Sequence, residues 1–171
     1  MIPDSAMTAE QWSQMPGVEN VPRLRFGWIG KPLKGEAARV YGLAVAASGA
    51  KQLFLDPFEV IQPASARYLT KMKQLELIWI EAHSYCKVGL PENFFGALGC
   101  RETLKRVGMQ PTSVLGDTKS LKDFPNLDKV QVGKLSFTRD KLDELIALEK
   151  EMEESRDSSE GQGPVLSGSD P

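Results

Sequence analysis

The alternation of apolar and basic residues in RLRFGWI, near the start of the chain, predicts a β-strand. Leu24, Phe26 and Trp28 share one face of such a strand, and Arg23 and Arg25 lie on the other face. Because large apolar side chains are most often buried, we expect the first face to join the core and the two arginines to face solvent. The GKPLKG that follows predicts a turn, since proline and glycine interrupt a central strand.

The longest β-type run is QLELIWIEAHSYCKV, at residues 74–88. As a single strand it divides into two faces with a period of two residues. One face carries Ile78, Ile80, Ala82, Cys86 and Val88, and the other carries Trp79, Glu81, His83, Tyr85 and Lys87. The first set predicts a core face, and the second predicts a mixed face of aromatic and polar side chains.

Spacing and boundary residues predict the remaining elements. Thr8 is expected to begin a short helix, residues 36–48 favour a helix over a strand, and Thr138 is expected to begin the last helix. A further helix is predicted after Pro91 and is expected to end at Gly108. Three β-type runs remain. KQLFLD and FEVIQ are predicted to form two strands or one bent strand. In the third run, KVQVGKLSF, Val130, Val132 and Leu135 are core residues if Gly133 marks a bulge.

The order of these elements indicates an α+β protein with one domain. We expect a mainly antiparallel sheet, covered on one side by helices, with an amphipathic helix at the C-terminal end. Residues 1–22 are interpreted as a polar lead-in and residues 23–152 as the globular domain. Residues 153–171 are rich in Ser, Gly, Asp and Glu and are predicted to form a disordered acidic tail.

Charge is distributed unevenly along the 171 residues, although the net charge is only −2. Residues 20–147 contain 19 Lys and Arg against 13 Asp and Glu, whereas residues 148–171 contain 2 against 7. A mildly basic body is therefore followed by an acidic end. With two cysteines, no signal-type start and no apolar run long enough for a bilayer, we expect a soluble intracellular protein, cytoplasmic or nuclear, or a virion component.

No complete catalytic or metal-binding motif occurs in the chain. His83 and Cys86 have opposite parity on the predicted strand, so they cannot converge on a metal ion with Cys100. Glu81 and His83 share a face, and they are the one pair that could serve as a general base. We therefore expect no metal, no cofactor and no catalytic residues, and a small enzyme built around Glu81 and His83 stays open as an alternative.

A basic and aromatic face is the remaining candidate site, and it is typical of proteins that bind single-stranded nucleic acid. Cations neutralise phosphates, and exposed aromatic rings stack on unpaired bases. The candidate residues are Arg23, Arg25, Lys31, Lys34, Trp79, Tyr85 and Lys87, with Lys71, Lys73, Lys105 and Arg106 as a possible extension. The prediction is a non-enzymatic binding or assembly protein that contacts single-stranded nucleic acid or a nucleoprotein complex.

The alternative is a self-associating structural protein, such as a viral matrix or capsid-type subunit. It is motivated by strands that could pair between copies and by flexible polar ends. A homo-oligomer is compatible with both hypotheses, and membrane insertion is expected in neither.

Overall fold

Six short strands and six helical segments form the described part of the protein. The computed structural model describes residues 8–26, 36–55, 67–81, 93–110 and 116–160. The strands are β1 (Arg23–Phe26), β2 (Gln52–Leu55), β3 (Leu77–Ile80), β4 (Arg106–Met109), β5 (Lys129–Val132) and β6 (Leu135–Thr138). The α-helices are α1 (Ala9–Ser13), α2 (Glu36–Ala46) and α3 (Leu142–Glu160), and the 3₁₀-helices are η1 (Arg67–Lys71), η2 (Thr118–Asp123) and η3 (Arg139–Lys141).

The strands form one sheet in which their spatial order follows their sequence order, from β1 to β6. The first five strands are parallel, and only β5 and β6 pair in the antiparallel sense. The prediction of a mainly antiparallel sheet is therefore wrong. The connections explain the difference, because β5 and β6 are joined by a tight turn, whereas each parallel pair has a crossover long enough to return the chain to the same end of the sheet.

One face of the sheet is the core. Two rows of buried side chains run across the strands on this face. Within each row, successive residues lie on neighbouring strands and are register partners. The first row is Leu24, Leu53, Ile78, Val107, Val130 and Phe137, and the second is Phe26, Leu55, Ile80, Met109 and Val132. The predicted burial of Leu24, Phe26, Ile78 and Ile80 is confirmed, and Trp28 lies outside the described residues.

The described parts of the connections between parallel strands pack against this same face. Right-handed crossovers are the rule for parallel strands, and in a sheet with sequential strand order they place every connection on one side. The buried side chains of the connections belong to the same core cluster as the strands: Val40, Ala44 and Ala47 from α2, Leu69 from η1, Phe94, Phe95, Leu98 and Leu104 from the β3–β4 connection, and Leu121 from η2. The described helical segments thus cover one side of the sheet, and none of them covers the opposite face.

The predicted first helix and the favoured helix at residues 36–48 are both present. Thr8 begins α1 with a capping box, in which the Thr8 hydroxyl accepts from the Gln11 amide at 3.2 Å and the Gln11 side chain accepts from the Thr8 amide at 2.8 Å. Gly42 is unfavourable within α2 by propensity. Its position is explained by packing, because a Cβ on Gly42 would overlap the backbone of Ala9 and the side chain of Trp12 in α1.

The predicted helix that ends at Gly108 is wrong. Residues 93–103 form turns, and the segment that follows is strand β4, which contains Gly108. Phe94, Phe95 and Leu98 are buried as expected of a core segment, although they are not on a helix. Their spacing indicates burial against the sheet, and it does not require a regular helix.

The hairpin and the last helix also differ in detail from the prediction. Gly133 lies in the β5–β6 turn with φ +58° and does not form a bulge. Leu135 pairs with Val132 at the hairpin end of an edge strand and is 53% exposed, so its assignment to the core is wrong. The last helix begins at Leu142, after η3 and not at Thr138, buries Leu142 and Leu145, and continues to Glu160, past residue 152. Residues 161–171 of the predicted tail lie outside the described residues.

Candidate nucleic-acid interface

The face of the sheet opposite the core carries two rows of side chains that alternate with the buried rows. We call this surface the open face. Its residues are Arg23, Gln52, Leu77, Arg106, Lys129 and Thr138 in one row, and Arg25, Phe54, Trp79, Gly108, Gln131 and Ser136 in the other. Apart from Gly108, every one of these residues is at least partly exposed to solvent. Within the described ranges, no helix covers the open face.

Two aromatic side chains lie next to each other at the centre of the open face. Phe54 on β2 and Trp79 on β3 are partners in the register, and both are half-buried. The six-membered ring of the Trp79 indole lies over Gly108, where any Cβ would overlap it. Glycine at position 108 therefore leaves the space on the open face that the Trp79 ring occupies.

Two arginines lie beside this aromatic pair and confirm the predicted exposed face of β1. The Arg23 guanidinium lies over the Phe54 ring, 4.8 Å from its centroid, and its Nε donates to the Gln52 side chain at 2.9 Å. Arg25 forms an ion pair with Glu81 at 2.7 Å, in which the two side chains are 56% and 24% exposed. The Glu81 carboxylate is therefore paired with Arg25. His83, the partner of Glu81 in the enzyme alternative, lies outside the described residues.

Two further cations extend the open face toward its other edge. Arg106 on β4 is the register partner of Leu77 on β3 and of Lys129 on β5. Arg106 and Lys129 are both exposed. In the described ranges neither cation forms an ion pair with a carboxylate. Their charges are therefore available to an anionic ligand, in contrast to that of Arg25.

A recess lies at the end of the open face where β2, β3 and β4 begin. Its volume is about 290 Å³, and its walls are Lys51, Gln52, Glu76, Leu77, Lys105 and Arg106. Glu76 lies between two lysines, with Lys105 at 2.9 Å from one carboxylate oxygen and Lys51 at 3.6 Å from the other. The hydrogen bond and charge of Lys105, with a smaller effect of Lys51, hold the pKa of Glu76 below its usual value of 4.5.

The structure brings together three of the predicted candidate residues. Arg23, Arg25 and Trp79 lie on the open face, and Arg106 from the possible extension joins them. The others, Lys31, Lys34, Tyr85 and Lys87, lie outside the described residues and stay predictions.

The sequence did not single out Phe54, Gln52 or Glu76. A signal for Phe54 exists in KQLFLD, where it alternates with Leu53 and Leu55, but its place beside Trp79 depends on the strand register.

The cysteine within the described ranges is a core residue. Cys100 is fully buried, and burial raises the pKa of its thiol to about 12, which keeps it protonated and unreactive. Cys86 and His83 are outside the described residues. In the part of the chain that the structure describes, no group of three or more His, Cys, Asp or Glu side chains could hold a metal ion.

Comparisons with known proteins identify no relative. No protein family, no curated protein and no solved structure gave a significant match to this chain. Among the helices of the described ranges, none is both long and apolar enough to cross a lipid bilayer. The functional interpretation therefore depends on the open face itself.

Proposed function

We propose that this protein is a non-enzymatic binding module that holds single-stranded nucleic acid on the open face of its sheet. The observation that carries the proposal is the adjacent pair Phe54 and Trp79 on a sheet face that no helix of the described ranges covers. Arg23, Arg106 and Lys129 surround this pair without a carboxylate partner among the described residues. Aromatic platforms flanked by cations are the usual means of binding unpaired bases and their phosphates.

The spacing of the open face suits an extended strand of nucleotides. Neighbouring strands are roughly 4.8 Å apart, so the Trp79 ring and the Arg23 guanidinium that lies over Phe54 present stacking positions for two successive, splayed bases. The cations lie on both sides of Trp79, with Arg23 toward one edge and Lys129 toward the other. A duplex keeps its bases stacked on one another, so rings at the centre of a sheet face are of use only to an unpaired strand.

The electrostatic contribution is expected to be moderate. Arg25 is neutralised by Glu81, and the two lysines of the recess share Glu76. Few phosphate contacts therefore remain. We expect the affinity to fall less steeply with salt concentration than it does for strongly basic nucleic-acid-binding proteins. Stacking on the aromatic pair then provides a large part of the affinity.

The test is the affinity for a fluorescently labelled uridine dodecamer, measured by anisotropy at low and moderate salt. We expect binding that weakens as salt rises, and a loss of about 5- to 150-fold in Trp79→Ala, because one stacked base is worth roughly 1–3 kcal/mol. Tyr41→Ala is the matched control, since Tyr41 is a partly exposed aromatic residue on α2, on the core side of the sheet. Circular dichroism checks that both variants are folded.

Two results would contradict the proposal. One is the absence of binding by the wild-type protein even at low ionic strength. The other is an equal effect of Trp79→Ala and Tyr41→Ala, which would mean that the ring on the open face contributes nothing specific.

A further inference from the structure

The recess at the start of β2, β3 and β4 combines a carboxylate with three cations. Lys51, Lys105 and Arg106 leave an excess of two positive charges after Glu76 is counted. A site for phosphate alone would bind more tightly without Glu76, because the carboxylate repels the ligand and occupies both lysines. The carboxylate indicates a ligand that carries a hydrogen-bond donor as well as a negative charge.

We propose that the recess recognises the sugar of the bound strand and makes the open face selective for RNA over DNA. In this arrangement Glu76 accepts a hydrogen bond from a ribose 2′-hydroxyl, and Arg106 binds the neighbouring phosphate. The inference rests on the proposed function, because the base of the same nucleotide stacks on Trp79. The 2′-hydroxyl is the group through which a protein can distinguish the two nucleic acids.

The position of the recess relative to the aromatic pair fits a single nucleotide. Trp79 lies two residues beyond Leu77 on the same face of β3, roughly 6.6 Å along the strand. Leu77 is half-buried and separates the indole from the recess, and Glu76 precedes it directly. In the proposed arrangement the sugar of a base on Trp79 lies over Leu77, which lines the recess together with Glu76.

Glu76 is well suited to accept a hydrogen bond from a hydroxyl group. Its two oxygens are fixed by Lys105 and Lys51, and a carboxylate offers about four acceptor positions, so positions remain after both lysines have bound. The side chain is 38% exposed, which leaves it open to a ligand. Its backbone amide and carbonyl are hydrogen-bonded to Lys51 and Lys105, so changes to the side chain leave these backbone contacts in place.

The neighbouring Gln52 is also held in a defined orientation. Its side-chain oxygen accepts from Arg23, so its amide nitrogen remains a donor beside the recess. Donors from Gln52 and Arg106 suit phosphate oxygens, and the acceptor from Glu76 suits a hydroxyl. The walls therefore provide both kinds of group that a ribose phosphate requires.

The experiment compares three labelled dodecamers with the same base: uridine, 2′-deoxyuridine and 2′-O-methyluridine. We expect the wild-type protein to bind the first about tenfold more tightly than the other two, as is usual for one hydrogen bond to a charged group. Glu76→Ala is expected to remove this preference and to strengthen binding of deoxyuridine, because Lys51 and Lys105 become free. Glu76→Gln keeps a neutral acceptor, so it should raise both affinities and retain part of the preference.

The matched control is Glu102→Ala, which removes an exposed carboxylate from the turn before β4 and outside the recess. It should leave the preference unchanged. The inference is overturned if the wild-type protein binds uridine and deoxyuridine equally, or if Glu76→Ala raises both affinities by the same factor. In either case the proposed function stands, whereas failure to bind any of the three dodecamers overturns both.

Discussion

Glu149 is the charged side chain that the described part of the fold buries, with 9% of its surface exposed. It lies on α3 and faces η2, where one carboxylate oxygen accepts from the hydroxyl and the backbone amide of Thr118. Its other oxygen is buried and has no hydrogen-bond partner among the described residues. Burial raises the pKa of Glu149 above its ordinary 4.5 against the opposing effect of Thr118, and the negative charges of Glu153 and Asp117 raise it further.

This raised pKa predicts a pH-dependent stability that Glu149→Gln should remove. The folded state holds the proton more tightly than the unfolded state, so the stabilisation is complete below the ordinary pKa and is lost as pH rises through the raised pKa. We expect Glu149→Gln to be about 1–2 kcal/mol more stable than the wild type at pH 8, because no charge is left buried, and to differ little at pH 4. Urea unfolding at both pH values measures the difference.

Glu151→Gln is the control for this prediction, since Glu151 is exposed on the same helix. Its effect should stay within about 0.5 kcal/mol at both pH values. If the free energy of unfolding depended on pH equally in Glu149→Gln and the wild type, ionisation of Glu149 would carry no free-energy cost in the folded protein.

At the scale of elements, the sequence predicts those whose signals lie in adjacent residues. The capping residues at Thr8 define α1, and the alternation in Leu77–Ile80 defines β3. β4 was missed because its centre is Gly108, which weakens a strand by propensity and is explained only by the Trp79 ring above it. That contact joins residues from two strands, so no local pattern contains it.

The local sequence pattern also does not contain the direction or the register of the strands. A period of two separates the faces of a strand in the same way whether its neighbour is parallel or antiparallel. Parity therefore placed Arg23, Arg25 and Trp79 correctly on an exposed face. The pairing of Phe54 with Trp79, and that of Glu76 with Lys105, required the register. The long connections between β-type runs were the available signal for parallel strands.

The contact between α1 and α2 gives a prediction at this scale. Glycine to alanine within a helix ordinarily stabilises by up to about 1 kcal/mol. Gly42→Ala should do the opposite and destabilise by about 1–3 kcal/mol, because the new Cβ would overlap Ala9 and Trp12 and force α1 away from α2. Urea unfolding gives the free energy, and amide hydrogen exchange at residues 9–13 reports the release of α1.

The matched variant is Gly49→Ala, which follows the same helix and has no atom within 4 Å of the added Cβ. It should be neutral or slightly stabilising. Stabilisation by Gly42→Ala would mean that α1 does not pack closely on α2.

At the scale of the whole molecule, the sheet is a linear stack in which each strand bonds only to its neighbours in sequence. One continuous core joins the stack, from α2 at one end to α3 at the other. As in solenoid proteins, whose units contact only their neighbours, we expect contacts between successive strands to couple the two ends of the sheet. β3 is therefore the connection between the end that contains α1 and α2 and the end that contains β6 and α3.

Ile78→Ala tests this coupling, because Ile78 is completely buried between Leu53 and Val107 in the first buried row of the sheet. The substitution should lower the free energy of unfolding by about 2–5 kcal/mol, a large part of the total for a domain of this size. It should also allow the two ends of the sheet to unfold separately. The rates of amide hydrogen exchange in β1 and β5 should then depend differently on denaturant concentration. Leu135→Ala, at an exposed edge position, should preserve both stability and coupling. Coincident exchange of β1 and β5 in Ile78→Ala would mean that contacts across the helical layer hold the ends together without β3.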